Sequence, residues 1–324
     1  VNYPISQTTG LTGYTTNAIK TKLSGEEVSI SGTPIRSKNG LNWEVLANWS
    51  AFKEIYKELP SNFESYQLHQ GDRVDKLYGK MVARSADGQV INNSAGYPVY
   101  LPKDQYLGHA DPNWGWGVNN KFTYKTISFS FQFDGKVGGK VQDRVLRKLI
   151  EGGRAYETAV GKVGEARDYE FHHYADPNYS GIYVGEGVQV SNGVQIQYDP
   201  VTGAITNLKD LQFATNASKV KYIQDYVSSF FNDPEHTMVS KTYAKLREVV
   251  ITYSLPAKFL GKSFINKVDV SLVGRNLLYF FPSRFKDMDV DQYSGRDIYS
   301  GNSREYNLQT PTTRSYGLNV NIGF

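Results

Sequence analysis

Arg314 to Phe324 reads R-S-Y-G-L-N-V-N-I-G-F, and a period of two sorts it completely. Tyr316, Leu318, Val320, Ile322 and Phe324 fall on one face; Ser315, Gly317, Asn319, Asn321 and Gly323 fall on the other. A β-strand sends successive side chains to opposite faces, so one surface is wholly apolar and the other small and polar. Two environments satisfy that pattern. The apolar face can pack on a protein core with the polar face in water, or it can meet lipid while the polar face lines a wet lumen. A tilted membrane-crossing strand needs about 9–11 residues, which this stretch supplies.

The composition allows either environment. At 324 residues the chain can hold one large β-domain or two ordinary ones. Mean hydropathy is −0.47, and no run of apolar residues is long enough for a membrane helix. Barrel strands hide their apolar residues in alternation, so low hydropathy does not exclude a membrane protein. Tyr 24, Phe 16 and Trp 4 make 14% aromatics, the supply that two interfacial girdles require. Without cysteine there are no disulfides and no thiolate metal sites. A net charge of +4 with interspersed signs leaves no basic stripe for nucleic acid. Val1-Asn2-Tyr3-Pro4-Ile5 carries neither a basic stretch nor an apolar run, so no signal peptide is read there, and a mature or internal fragment is expected.

Outward from the final stretch, Lys267 to Phe280 sets Val268, Val270 and Leu272 against Asp269 and Ser271. Lys241 to Leu255 sets Val249, Ile251 and Tyr253 against Glu248, Thr252 and Ser254. Lys121 to Asp134 alternates Ile127, Phe129, Phe131 and Phe133 with Thr126, Ser128, Ser130 and Gln132. A turn through Gly135, Gly138 and Gly139 is expected to lead into a charged strand over Lys140 to Ile150. Glu26 to Arg36 and Leu41 to Ser50 flank Ser37-Lys38-Asn39-Gly40, whose Asn-Gly pair tolerates positive φ, and they read as a hairpin. Short helices are expected over Ala18 to Leu23 and Val220 to Phe231.

The connections are expected to be unequal: short at 37–40, 135–140 and 256–266, long at 51–120, 151–240 and 281–313. Outer-membrane barrels pair short periplasmic turns with long extracellular loops. If the last strand runs inward, all the short turns fall on the periplasmic side and every long loop outside. A soluble sandwich has no reason to sort its loops this way, so lipid is read as the outer solvent.

Specific residues then resemble a family. Lys245-Leu246-Arg247-Glu248-Val249 with Thr252-Tyr253-Ser254-Leu255-Pro256 is similar to a block of SusC/RagA-type TonB-dependent outer-membrane transporters. So are Val273-Gly274-Arg275-Asn276-Leu277-Leu278, and Pro311 to Asn319 with a terminal Phe324. Leu107-Gly108, Asp111-Pro112-Asn113-Trp114 and Phe122-Thr123-Tyr124-Lys125 resemble an upstream segment. Where the family often carries D-P-E after its G-R-N-L block, this chain has Asp289-Val290-Asp291, and nothing is carried over from that motif. The resemblance implies an all-β fold: a transmembrane antiparallel β-barrel of about 22 strands. This chain, residues 1–324, is then its C-terminal part, about nine to twelve strands, with the N-terminal plug and TonB-contacting segment absent. It implies import of a glycan or an oligopeptide across the bacterial outer membrane, with a SusD-like surface lipoprotein, TonB, outer-membrane lipid and the barrel assembly machinery as partners.

Four sets of residues carry candidate chemistry. Asp287, Asp289 and Asp291 have an oxygen-ligand spacing suited to Ca²⁺, but Gln292 and Ile298 replace the glycine and glutamate of an EF-hand loop, so a solvated acidic loop is the competing reading and no other cofactor is expected. Trp114 and Trp116 can stack on a substrate or belong to an interfacial girdle. Phe324 is the expected assembly signal, and Tyr316, Leu318, Val320 and Ile322 the lipid-facing residues of the final strand. His172-His173 lacks metal-ligand companions. No nucleophile–base set, paired acids or phosphate loop stands out, so no enzyme is expected. The alternatives to transport are a structural or adhesive outer-membrane barrel and a soluble β-sandwich carbohydrate-binding module.

Overall fold

A computed structural model describes residues 2–4, 7–10, 13–15, 17–231, 233–261, 264–281, 289–292 and 312–324. Its frame is one sheet of seven long strands: β1 (Lys20–Arg36), β2 (Leu41–Glu58), β3 (Trp114–Tyr124), β4 (Ile127–Val137), β5 (Tyr243–Ser254), β6 (Lys267–Phe280) and β7 (Ser315–Gly323). Each pairs antiparallel with the strand before and after it, an uninterrupted meander. The sheet is not closed: β1 and β7 are its two edges.

The register aligns the alternation of every strand. Ile35, Trp43, Phe122, Phe129, Ile251, Leu272 and Leu318 form one apolar row across all seven strands. Trp43 stacks on Phe122 at 5.5 Å between ring centroids. Yet Phe129, Ile251, Leu272 and Leu318 are exposed, Leu318 to 67%. Seven strands at about 4.8 Å spacing make an apolar surface about 30 Å wide, larger than the patches a soluble monomer leaves bare. The opposite face carries Ser31, Asn119, Gln132, Glu248, Arg275 and Ser315 in an equivalent row, interrupted only by Leu46.

The connections are sorted by length. Residues 37–40, 125–126 and 255–266 join strands at one end of the sheet, where the chain also reaches Phe324; residues 59–113, 138–242 and 281–314 join them at the other. The tight turn lies at Lys125-Thr126 rather than at 135–140. Lys125 takes φ 53°, the left-handed value a two-residue hairpin needs. Gly135 to Lys140 therefore sits at the long-loop end, contrary to the expectation from spacing. The charged stretch after it is a strand only over Lys140–Gln142, paired with Met238–Ser240, and then a helix: α1 (Arg144–Glu151) starts where the Asp143 carboxylate accepts from the Leu146 N–H. Ala18 to Leu23 is not helical either, since β1 begins at Lys20. Paired with β2, those residues gain cross-strand hydrogen bonds that an isolated short helix lacks.

The long connections build a folded cap. α1 packs with α2 (Gly161–His173) and α3 (Ile223–Phe230) around Leu146, Ile150, Val163, Ile223, Tyr226 and Val227. The helical spacing over 220–231 is thus a real helix with Ile223 and Val227 on its buried face. A small sheet joins Ile91–Asn92 of one connection to Val188–Val190 and Phe213–Thr215 of the next, over Ala83, Ile91 and Val188.

Candidate functional site

The polar face of the sheet holds a trough at its long-loop end. Glu27, Ser50, Gly115, Lys136 and Tyr243 stand directly opposite one another across β1 to β5. One step along, Ser29, Asn48, Gly117, Asp134 and Lys245 form the next row. Gly115 and Gly117 contribute no side chains, so the floor between the Asn48/Ser50 wall and the Asp134/Lys136 wall is bare backbone. The resulting hollow has a volume of about 640 Å³. The Ser29 hydroxyl donates to Asn48 Oδ1 at 2.8 Å, which fixes the amide on that wall.

Beside the trough lies an ion network. A bulge between Leu246 and Glu248 inserts Arg247 as an extra residue in β5. Arg247 reaches Asp134 of β4 at 2.8 Å and Asp291 of the last long connection at 2.6 Å. Lys245, with 2% of its side chain exposed, donates to Asp289 at 2.7 Å and to Asp291 at 3.3 Å. Its ammonium sits 4.5 Å from the centroid of the Tyr279 ring. The Tyr243 hydroxyl donates to Asp291 at 2.6 Å, and the Thr312 hydroxyl donates to Asp289. Between the two aspartates, Val290 is fully buried among Val141, Val239 and Tyr243, with Tyr279 and Phe281 against it. Burial pushes both carboxyls up, but the hydrogen bonds from Lys245 and Thr312 to Asp289, and from Tyr243 and Arg247 to Asp291, outweigh it. Both lie below the usual carboxylate range.

The residues singled out from sequence are distributed as follows. Asp289 and Asp291 come together, but their oxygens face an ammonium and a guanidinium, and Asp287 lies outside the described residues. Among the described residues no group of three His or acidic side chains is placed to hold a metal ion. By register Trp116 falls between Trp49 and Gly135 and shares the apolar face with Val118 and Phe122. Trp114 shares that parity at the start of β3. Tyr316, Leu318, Val320 and Ile322 are all exposed on the apolar face of β7, and Phe324 approaches Phe264 edge-on at 6.3 Å. His172 and His173 end a helix, where His173 Nδ1 lies 2.7 Å from the Tyr169 carbonyl.

Sequence reading missed the trough. Its members come from five strands separated by up to 216 positions, Glu27 to Tyr243, and only the register puts them in line. The one local signal is G-W-G-V over Gly115 to Val118, where glycines alternate with large apolar residues and leave one face empty.

No protein-family model and no curated protein matches the chain. Solved structures do. A chain of the RagAB peptide importer in its open-open state aligns over 100% of this chain with a TM-score of 0.61 at 15% identity. A chain of the same importer in its closed-closed state aligns over 98% with a TM-score of 0.53 at 14% identity. This chain spans about 31% of the length of either. The sheet, its polar trough and its sorted connections therefore have the fold of a segment of a RagAB importer chain.

Proposed function

We propose that this chain is part of the wall of an outer-membrane barrel that imports a nutrient, a glycan or an oligopeptide, in the manner of SusC/RagA-type transporters. The apolar row faces lipid, the short turns face the periplasm, and the cap built by residues 59–113 and 138–242 stands outside the cell. A SusD-like lipoprotein covers that cap. A plug and a TonB-contacting segment of the longer protein obstruct and energise the pathway, and this segment itself performs no chemistry. The reading rests on one observation above all. Seven strands present an unbroken apolar row outward while the opposite face is mainly polar, with Leu46, Val250 and Val273 as exceptions. A soluble sandwich would need a second sheet over that row, and among the described residues none covers it.

The test exploits the period of two. Val320→Arg places a charge on the lipid side of β7 and is expected to cost about 2–4 kcal/mol near the midplane, abolishing insertion into the outer-membrane fraction. Asn321→Arg, one residue along on the wet side, is expected to insert normally. Equal behaviour of the two variants, or recovery of the unaltered protein in buffer without detergent, sinks the membrane reading. Uptake of labelled peptides and glycans by cells with and without the full-length protein separates import from adhesion.

A further inference from the structure

We infer that the trough on the polar face binds a short peptide with free termini, laid across the strands between Glu27 and Lys136. This rests on the importer reading for its location and goes beyond it in naming a site and a ligand chemistry. Glu27, Ser50, Gly115 and Lys136 are in direct register. The two charges are separated by three inter-strand steps, about 14 Å at about 4.8 Å each. Neither charge has an ion-pair partner among the described residues, whereas the charges of the next row are engaged: Asp134 takes Arg247, and Lys245 takes Asp289. A carboxylate at one end of a hollow and an ammonium at the other match a ligand that is cationic at one terminus and anionic at the other. An extended peptide of three or four residues, at about 3.3–3.6 Å each, has that span.

The floor supports the same ligand. Bare backbone at Gly115 and Gly117 admits a peptide chain closely, and Asn48 and Ser50 beside it offer both donors and acceptors for amides. These glycines are not demanded by folding. Neither has positive φ, and a Cβ at Gly115 would meet nothing nearer than 3.7 Å, at Gly117 nothing nearer than 3.9 Å. Gly135 is the contrast: its Cβ would collide with the Tyr243 carbonyl oxygen and come within 2.7 Å of the Trp116 indole nitrogen. The space over Gly115 and Gly117 is thus kept open rather than forced. A stacked sugar fits less well. Of the three aromatic residues lining the hollow, Trp49 and Trp116 share the apolar face by register, and Tyr243 is buried with its hydroxyl donated to Asp291, so none of the three presents an exposed ring over the floor.

Calorimetric titration of the full-length protein in detergent with tetra-alanine tests this. Tetra-alanine with free termini is expected to bind. Glu27→Gln and Lys136→Gln are each expected to weaken it about tenfold, the effect of losing one charge-assisted hydrogen bond. Gly117→Leu, which fills the trough, is expected to abolish binding. Tetra-alanine acetylated and amidated at its ends is expected to bind weakly, and equally to the unaltered protein, Glu27→Gln and Lys136→Gln. Retained heat-modifiable migration shows that each variant is folded. No binding of tetra-alanine, equal binding by the variants, or maltotetraose binding with the same sensitivity to them overturns the proposal. Its failure is separable from that of import: variants that bind normally in a protein that still transports peptides remove the site alone, whereas altered binding in a protein that transports nothing removes the import reading alone.

Discussion

At the scale of single residues, Lys245 is the strongest commitment in the structure. A fully buried ammonium is tolerable only if it is paired, and two aspartates and a tyrosine ring surround it. Lys245→Met removes the cation and leaves Asp289 and Asp291 facing each other's charge, with Arg247 alone to offset them. The expected cost is about 3–5 kcal/mol, concentrated on the contact between β5 and residues 289–292. It is measured as lost hydrogen-exchange protection of the Val290 amide, which donates to the Tyr279 hydroxyl at 3.0 Å. Unchanged protection in this variant would show that Val290 packing alone holds the segment. The pH dependence has a definite sign. Both carboxyls are depressed below 3.8, so their contribution is complete above that value. It is lost as pH falls through the folded-state values below 3.8, and Val290 protection is expected to fall in that acid window and stay flat from pH 5 to 8. Protection that falls instead between pH 5 and 8 would assign the docking to some other group.

At the scale of the element, β4 shows how one position can decide a strand's fit. Gly135 lies between Trp116 and the β5 backbone with no room for a methyl group. Gly135→Ala is expected to destabilise the sheet by about 1–3 kcal/mol through overpacking, read as a lower midpoint of urea unfolding in detergent. Gly115→Ala, two residues beyond Trp114's predecessor on the neighbouring strand and in open space, is expected to leave that midpoint within error. The same strand marks where period-two reading stops short. Alternation over 127–133 identifies the strand and its apolar face but not its ends. Both candidate turns contain plausible residues, and three glycines outweigh Lys125-Thr126 on composition. The chain turns at Lys125 because Tyr124 and Ile127 must stand opposite each other to bring Phe122 against Phe129 and Asn120 against Phe131. That is cross-strand packing, which no single strand records.

At the scale of the whole molecule, the wall and the cap are stabilised by different physics. The cap has an ordinary core: Tyr226 is 1% exposed and sits against Tyr97, Tyr183, Phe230 and Phe231. The wall has no core of its own, since its apolar row is exposed and its polar row lines a trough. Tyr226→Ala is therefore expected to cost the cap about 3–5 kcal/mol. Protease should then cut within 144–230 while the strands stay protected by detergent or lipid. Simultaneous loss of strand protection would show that cap and wall fold as one unit.

Strand parity is a local property written in every second residue, so most strands and their apolar faces are legible in the sequence. Ala18 to Leu23, by contrast, reads as a helix but joins a strand, and Lys140 to Ile150 reads as a strand but is mainly a helix. Order along the chain carries the resemblance to SusC/RagA-type barrels and the contrast of short and long loops, but it places a short turn at 135–140 where the chain turns at Lys125-Thr126. The register, and with it the alignment of Ile35 through Leu318 into one apolar row, comes from packing between strands and is written in no single one of them. The register also brought Glu27, Ser50, Gly115 and Lys136 into one line across the trough, and Asp289 and Asp291 onto Lys245 and Arg247. The acidic D-x-D spacing looks the same whether it awaits a cation from solution or one from a neighbouring strand. What settles the matter is the approach of β5, some 44 residues away in sequence, and the burial that makes pairing obligatory.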